Sequence, residues 1–534
     1  MKNIISKILL GICCTTSVMT TGCIEETFPT DVATQDQLSS SDKATEALLW
    51  AMPAFFNKYG VAGGRDYDWG YGSIMHIRDV MTEDMAVISS GYDWYSTWEE
   101  NAYMGENYAA PQFIWNYYWK AIQTANNMIE VVNPESASET QLGYLGAALT
   151  FRALYYLEAS QQFEFLENDK VSSINNAGND VKGLTLPIVR EGMTEDEARN
   201  NPRVDRATMA EFILGDLDNA EKYIVNLKVA SKTLPHLDVV YGLKARAYMW
   251  LEDYAKAKEY ARKAISEARV SPMSESACLN PKTGFNDIEK WMWGSQLQKE
   301  DDVVKTGIIN WVSWMSSEAT FGYANAEPYP MISASLYKRI GDTDFRKKMW
   351  NAPEGTALEG KTVFIDPTTG AASVPYTTVK FRPNEGNIED PTVGAASAFP
   401  VMRVEEMYFI EAEAAAHLNA EDGRRLVQDF MQNYRDPAYS TTASGEDLIE
   451  EIVFQKRIEL WGEGLTFFDV KRLNMSVTRG YPGTNFSEMR RFNTDGRPAW
   501  MNFCIVQTEK NNNSALVGYE NPDPSDVYTP WMGE

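Results

Sequence analysis

Apolar residues recur at intervals of three and four positions over several long stretches of the chain. This period is typical of amphipathic helices that bury one face. We therefore predict helices over residues 44–59, 111–132, 139–168, 205–228, 237–268, 401–418 and 446–474. The predicted fold class is mainly α, with a helical scaffold formed by 111–268 and 401–474.

The helical pattern is lost in two long segments, residues 60–110 and 270–400, and again in the tail after residue 474. There Gly, Pro, Asn and Asp are scattered among Trp and Tyr. This composition predicts long irregular loops with short strands. The chain holds 15 Trp and 27 Tyr, and many of them fall in these loop-like segments, where they are candidates for ligand contact.

Residues 241–264 have the spacing of a tetratricopeptide repeat, which is a pair of antiparallel helices. The pattern is carried by Tyr241, Ala245, Tyr248, Ala257, Ala261 and Ala264, with a turn at Glu252-Asp253. Such a unit cannot bury its apolar face alone, so neighbouring helices must stack on it. A generic helical hairpin is the alternative, and on either interpretation these helices are scaffold.

The first 22 residues have the pattern of a bacterial lipoprotein signal. Lys2 and Lys7 precede a short apolar run at 8–19, and Thr20-Thr21-Gly22 leads to Cys23. Small residues before such a cysteine predict cleavage there and lipidation of Cys23. Leu usually stands where this chain has Thr20, and a plain secretory signal cut nearby is the alternative.

The remaining chain is predicted to comprise a lipidated tether at 23–42 and a single domain at 43–534. The whole chain carries 49 Lys and Arg against 75 Asp and Glu, which is a formal net charge of -26. A strongly acidic surface repels phosphate backbones, so nucleic acid is not expected as a partner. Beyond the signal and Cys23, only Cys278 and Cys504 remain. Two cysteines make no disulfide framework, and whether they pair is open.

Four blocks of sequence, in order along the chain, carry a resemblance to a known family. They are 206–220 with Asp216-Leu217, 244–257, 403–414 with Glu411-Ala-Glu413, and 455–472 with Glu463-Gly464 and Phe468-Asp469. With the lipoprotein signal, they resemble the SusD/RagB family, outer-membrane nutrient-binding lipoproteins of Bacteroidetes. Gln455 and Thr466 stand where the family commonly has Glu and Arg, which affects local salt links more than the fold.

The resemblance implies an α-rich fold with tetratricopeptide-like helices at one side and loops that carry the ligand site at another. It implies capture of oligosaccharides at the cell surface and delivery to a TonB-dependent, SusC-like outer-membrane transporter, over which the protein sits as a lid. Glu25 and Glu26, directly after Cys23, resemble the surface-export signal of Bacteroidetes lipoproteins. An outer-membrane lipid anchor facing the cell exterior is therefore expected.

A glycan site needs flat apolar rings for the C–H faces of sugars and a few polar groups that orient the hydroxyls. The run from Tyr92 to Asn101 fits this need, because no helical or strand period buries all its rings on one face. We predict stacking by Trp94, Tyr95 and Trp98, with Asp93 and Asn101 as polar neighbours. A loop or capped helix that faces the core is the alternative.

Two further groups are candidates for the same site. Trp311, Trp314 and Tyr323 follow the repeat hairpin, although the three-residue spacing of the two tryptophans also suits a buried helix face. Arg65 and Trp69 lie in a Gly-rich stretch with Asp66 and Tyr71. We predict stacking by Trp311, Trp314, Tyr323 and Trp69, and a polar contact from Arg65.

An enzymatic function has weaker support in the sequence, and we predict neither a catalytic activity nor a cofactor. Paired carboxylates are typical of glycosidases, but Glu411, Glu413, Glu459 and Glu463 are expected to form ion pairs with Arg403, Arg457 and Arg472. The three histidines lack the spacing of metal ligands, and at most the acidic loop 300–302 is a candidate for incidental calcium. Capture of another nutrient such as peptide, and a surface glycoside hydrolase, remain the functional alternatives.

Overall fold

The computed structural model describes residues 41–99, 101–327 and 329–533. The helices of the amino-terminal half are α1 (Asp42–Phe55), α2 (Tyr71–Val80), α3 (Tyr95–Glu99), α4 (Ala109–Val131), α5 (Glu139–Phe163), α6 (Glu195–Ala198), α7 (Arg206–Tyr223), α8 (Leu237–Trp250) and α9 (Tyr254–Glu267). The later helices are α10 (Glu275–Cys278), α11 (Asp302–Lys305), α12 (Trp311–Met315), α13 (Ala334–Arg339), α14 (Pro367–Ala372), α15 (Pro391–Gly394), α16 (Val404–Leu418), α17 (Ala420–Tyr434), α18 (Glu446–Glu459), α19 (Thr466–Arg472) and α20 (Gln507–Lys510). The mainly α class predicted from the hydrophobic pattern is confirmed.

Four short strands form two separate antiparallel pairs. They are β1 (Met85–Val87), β2 (Trp293–Gln296), β3 (Pro330–Ile332) and β4 (Ala398–Met402). Strand β1 pairs with β3, and β2 pairs with β4. Each pair joins segments that are far apart in sequence, so the strands tie the loop-rich parts together rather than form a sheet layer.

The long helices pack as antiparallel pairs, with α8 on α9, α9 on α16, and α5 between α4 and α7. The small residues Ala245, Ala257 and Ala261 are fully buried, which lets the helix backbones approach closely. The turn between α8 and α9 falls where the sequence predicts it. Asp253 accepts a hydrogen bond from the backbone N–H of Lys256 and so caps α9. The predicted hairpin is confirmed.

Two helical predictions need correction. Residues 420–434, for which the sequence predicts no helix, form α17, and the Asn419 side chain caps its start. Gly423 of this helix lies against Ala416 of α16, where a Cβ on residue 423 would come within 2.5 Å of the Ala416 Cα. The predicted helix 446–474 is broken in two, because Gly462 and Gly464 adopt φ values of 77° and 68°. Such left-handed conformations suit glycine and end a helix.

The scaffold buries a network of charges between α16 and α18. Arg403 contacts Glu459 at 3.0 Å and Glu463 at 2.9 Å, and Arg435 contacts Glu459 at 2.6 Å. Although burial opposes ionisation, Arg435 and Arg403 hold the pKa of Glu459 well below its usual range. The carboxylates considered for a glycosidase are thus occupied in ion pairs.

The remaining pairs follow the expectation only in part. Glu413 contacts Arg472 at 2.5 Å, as predicted. Glu411, however, pairs with Arg262 of α9, and Arg457 pairs with Glu83 and Asp84. These partners come from distant segments, which sequence spacing within one helix does not reveal.

Both Cys278 and Cys504 are free, buried thiols, so the open question of their pairing is settled against a disulfide. Burial raises the pKa of the Cys278 thiol to about 12. Among the described helices, none is long and apolar enough to cross a membrane. The predicted signal 1–22 and lipidation site Cys23 lie outside the described residues, as does the tether up to residue 40.

Candidate functional site

The three sequence segments predicted to carry the site meet in one place. The Asp66 carboxylate accepts a hydrogen bond from the backbone N–H of Trp94 at 3.0 Å, and the Asp66 carbonyl accepts one from the indole N–H of Trp314 at 3.0 Å. The ring of Trp69 lies 5.9 Å from that of Trp311, centroid to centroid. Segments more than 200 residues apart therefore form a single aromatic cluster.

The loop that supplies Asp66 is shaped by a buried neighbour, Asp68. Its carboxylate accepts hydrogen bonds from the backbone N–H groups of Val61, Ala62 and Gly64 at 2.8–3.0 Å. Gly64 adopts a φ of 78°, which a glycine adopts without strain. The Gly-rich stretch is thus a loop wrapped around one carboxylate, and it holds Asp66 against the other two segments.

Five of the predicted stacking rings lie inside the cluster. We call them the aromatic base; they are exposed by no more than 2%: Trp69, Tyr95, Trp98, Trp311 and Trp314. The Tyr95 ring is 4.7 Å from Trp314 and 5.4 Å from Trp98. Rings enclosed in this way have no face open to a sugar, so the prediction that they stack directly on a ligand is corrected. They support the rings above them.

Trp94 and Tyr323 are the predicted rings that stay partly exposed. Trp94 rests on Trp98 with the ring planes 27° apart and the centroids 6.2 Å apart. Tyr323 stacks on Trp314 at 3.9 Å and 19°. Each ring is therefore held by stacking on one ring of the aromatic base, while the residue stays partly exposed to solvent.

Two further tyrosines near Trp94 in sequence are exposed to solvent, and neither is among the predicted ligand contacts. Tyr103 is 49% exposed and meets Trp94 edge to face at 6.3 Å, and Tyr92 is 87% exposed. Tyr103 has a φ of 58°, an uncommon conformation for a residue with a side chain. Tyr92 belongs to the aromatic run at 92–101, so the sequence could have indicated it as a ligand contact. No sequence pattern indicates that the Tyr103 side chain is exposed to solvent. We call Tyr92, Trp94, Tyr103 and Tyr323 the outer rings.

Two of the predicted polar contacts have internal roles instead. The Asp93 carboxylate is 9% exposed and accepts hydrogen bonds from the backbone N–H groups of Ser90 and Ser96, both at 2.8 Å. Asn101 is 1% exposed, with a φ of 55°. The prediction that these two side chains face a ligand is therefore corrected. Arg65 is exposed, as a ligand contact requires.

Asp66 is the half-buried carboxylate between the outer rings, and its surroundings are electrostatically unusual. Burial raises its pKa to about 6, and the nearby charge of Asp93 adds to the effect, while the N–H of Trp94 opposes it. Burial, together with Asp66 and Asp93, raises the pKa of Tyr323 to about 12. The site thus combines apolar rings with negative potential.

The described part of the chain assembles no group of metal ligands. No three His, Cys, Asp or Glu side chains there lie together as ligands for a metal ion, and this includes the acidic loop 300–302. His76 is buried beside Tyr95, and burial lowers its pKa to about 3. His417 stacks on Tyr254 at 3.8 Å, in the scaffold. The arrangement suits binding through rings and hydroxyl contacts.

Comparison with protein families gives two matches that do not overlap. The model described as the SusD family matches residues 313–530. The model described as starch-binding associating with outer membrane, a SusD-like family, matches residues 33–249. A comparison with curated protein sequences found no match.

Solved structures share the fold over nearly their whole length. A SusD-like carbohydrate-binding protein from Bacteroides vulgatus has a TM-score of 0.68 at 21% identity, covering 90% of this chain and 98% of that one. A SusD superfamily protein from Bacteroides thetaiotaomicron has a TM-score of 0.68 at 20% identity, covering 90% and 100%. A laminarin-binding SusD-like protein has a TM-score of 0.61 at 15% identity, covering 90% and 99%.

A tetratricopeptide-like helical scaffold that presents irregular loops defines the class as proteins of the SusD-like fold, as these structural neighbours show. The family matches at both ends of the chain agree with the motifs in 206–220, 244–257, 403–414 and 455–472. The chain belongs to the SusD/RagB family.

Proposed function

We propose that this protein captures glycans on the outer rings and serves a nutrient-uptake system at the cell surface. The observation that carries the proposal is the pair Trp94 and Tyr323, each partly exposed and each stacked on a buried ring of the aromatic base. The description of structural neighbours as carbohydrate-binding, and of one as laminarin-binding, supports it.

The physical chemistry of sugar recognition matches this surface. A ring fixed on a packed base loses little freedom when a ligand binds, so more of the contact energy appears as affinity. The C–H face of a pyranose lies on such a ring, while Arg65 and Asp66 at the same surface offer a donor and an acceptor to its hydroxyls. The outer rings come from different segments, so an extended chain has more than one platform.

Affinity electrophoresis tests the proposal with gels that contain laminarin, starch, xylan or galactomannan. Retardation by at least one polysaccharide, lost in Trp94→Ala and Tyr323→Ala, supports it. Trp50→Ala is the matched control, because Trp50 is 38% exposed on α1 and belongs to no part of the aromatic cluster. Release of shorter sugars would instead support a hydrolase. Binding of peptides without any retardation by polysaccharide would support the alternative nutrient.

We further propose that Cys23 anchors the mature chain to the outer membrane, facing outward. The apolar run, Gly22-Cys23 and the acids that follow support an anchored, exported lipoprotein, and the family description that places its members with the outer membrane agrees. Cys23→Ala should move the protein to the soluble fraction and abolish lipid labelling. Unchanged membrane retention of the variant would contradict the anchor.

The proposed partner is a SusC-like, TonB-dependent transporter, which the family relationship supports. An obligate lid over such a transporter buries more than about 2,000 Å² of surface. Pull-down from outer membranes in mild detergent, through a tag after Glu534, should recover a large β-barrel protein. Recovery of the tagged protein alone would count against the partnership.

A further inference from the structure

We propose that the Asp66 carboxylate makes this site selective for neutral glycans, by accepting a hydroxyl hydrogen bond between Trp94 and Tyr323 and by repelling ligands that carry carboxylate or sulfate groups. This inference rests on the proposed glycan-binding function. It assigns the ligand's charge class and the residue that sets it.

The hydrogen bonding of Asp66 leaves its carboxylate able to accept a further hydrogen bond. Oδ2 accepts the N–H of Trp94, and the backbone N–H of Asp66 itself also lies against the carboxylate, while no other residue of the described chain donates a hydrogen bond to it. The carbonyl of the same residue holds the indole of Trp314, on which Tyr323 stacks. The position of the carboxylate is therefore fixed by both segments that carry the outer rings. A hydroxyl bound to a carboxylate forms a short, charge-assisted hydrogen bond, which is stronger than a bond between neutral groups.

Asp66 also stands without an ion pair among the described residues. The titratable groups that face it are Arg65 and Tyr67 on its own loop, Asp93 and Tyr95 on the segment of Trp94, and Tyr323. Two carboxylates thus face one exposed arginine, which solvent screens. An anionic sugar placed here meets like charge in a partly desolvated site, where Coulomb repulsion is stronger than in water.

The scaffold contains a buried carboxylate, Glu459, whose charge is neutralised by ion pairs, and it can be compared with Asp66. Glu459 is paired with Arg403 and Arg435 at 2.6–3.0 Å, whereas the Asp66 carboxylate accepts backbone hydrogen bonds and has no ion pair among the described residues. Within the described residues no cation forms an ion pair with Asp66, so the site keeps the negative charge of this carboxylate.

The burial that makes the charge effective also makes it titratable near neutral pH. Because the pKa of Asp66 is about 6, the carboxylate gains a proton as the pH falls from 8 to 5. The protonated group is a weaker acceptor and repels anions less. Affinity for a neutral glycan should therefore fall by roughly fivefold over this range, while the discrimination against anionic glycans should narrow.

The test compares each neutral polysaccharide that retards the protein, from laminarin, starch, xylan and galactomannan, with its carboxymethylated form. Wild type should bind the neutral form at least about tenfold more tightly at pH 8. Asp66→Asn keeps an acceptor for the Trp94 N–H but removes the charge. Asp66→Asn should bind the neutral and the carboxymethylated polysaccharide with similar affinity, and its affinity for the neutral form should not change with pH. Asp196→Asn is the matched control, because it removes an exposed charge elsewhere, and it should behave as wild type.

A second measurement needs no variant. If the ligand prefers ionised Asp66, binding to wild type at pH 6 releases protons, and the binding enthalpy then depends on the ionisation enthalpy of the buffer. Equal binding enthalpies in phosphate and in bis-Tris, two buffers that take up protons at pH 6 with different ionisation enthalpies, would overturn the charge selection while leaving glycan capture intact. Equal discrimination by wild type and Asp66→Asn would do the same. In either of those cases, loss of polysaccharide retardation in Trp94→Ala would still support the proposed glycan-binding function. No retardation of wild type by any polysaccharide would overturn both.

Discussion

The scaffold around Glu459 and the aromatic cluster around Asp66 bury a carboxylate in different ways. Glu459 is held between Arg403 and Arg435, which lower its pKa well below the usual range although burial acts against them. Asp66 receives no such partner in the described residues, and burial raises its pKa to about 6. Perturbed groups of the second kind concentrate at functional sites, because only an unneutralised charge is available to a ligand.

Buried polar atoms without a hydrogen-bond partner occur in both regions. Within the described residues, the indole N–H groups of Trp69, Trp98 and Trp311 and the side-chain amide of Asn101 are buried without a hydrogen-bond partner. Each such group costs free energy of folding. Glu405, Glu413 and Arg246 of the scaffold also have such atoms, so this cost does not distinguish the two regions, and the pairing of their carboxylates does.

The largest expected effect comes from breaking the scaffold network. Arg403→Met leaves Glu459 and Glu463 facing each other without one of their cations, so we expect a loss of about 3–5 kcal/mol of unfolding free energy. Chemical denaturation followed by circular dichroism measures it. Arg425→Met removes a solvent-exposed pair on α17 and should change little. Equal losses in the two variants would show that the network is not what stabilises the scaffold.

The next effect separates the aromatic base from the outer rings. Trp98→Ala removes a ring that is 2% exposed, so it should cost about 3–5 kcal/mol of stability through the cavity it leaves. Trp94→Ala, four residues earlier, should leave the melting temperature near that of wild type. Differential scanning calorimetry of both variants gives the comparison. A large loss of stability in Trp94→Ala would place that ring in the core as well.

A smaller effect is expected from Tyr323. Removing this ring in Tyr323→Ala should weaken glycan binding by roughly 1–3 kcal/mol, the range measured for bases stacked on aromatic side chains, which is about fivefold to 150-fold in affinity. Tyr323→Phe keeps the stacked ring and should retain most of the affinity. Isothermal titration with the bound polysaccharide measures both. A loss as large in Tyr323→Phe as in Tyr323→Ala would assign the contact to the hydroxyl group instead of the ring.

The smallest effect concerns stability and pH at Asp66. Folding raises the pKa of Asp66 from its ordinary value of 3.8 to about 6. The free energy of unfolding therefore falls as the pH rises through the range between these two pKa values. Asp66→Asn should therefore gain stability relative to wild type between pH 5 and pH 8, by on the order of 1 kcal/mol. Urea denaturation at the two pH values tests this. A difference that stays constant with pH would mean that the carboxyl titrates normally.

The amino-acid sequence alone determined the scaffold, because helical periodicity is a local property. The segments 111–132, 139–168 and 205–228 correspond to α4, α5 and α7 within a few residues. The errors occur where tertiary packing decides. Gly423 lies in α17 where Ala416 leaves no room for a Cβ. The positive φ of Gly462 and Gly464 ends the predicted helix before α19, and at Gly464 a Cβ would come within 2.7 Å of the Met75 Cα.

The sequence by itself also marked the three segments that form the site, since aromatic rings in loop-like stretches stand out in composition. It could not decide which rings are inside, because Trp94 and Trp98 are identical side chains one helical turn apart. Only the tertiary structure covers Trp98 with Tyr67 and Tyr95, leaves Trp94 partly open, and sets Asp66 between two segments more than 200 residues apart. Burial depends on contacts between distant parts of the chain, and those contacts determine which ring has a face available to a ligand.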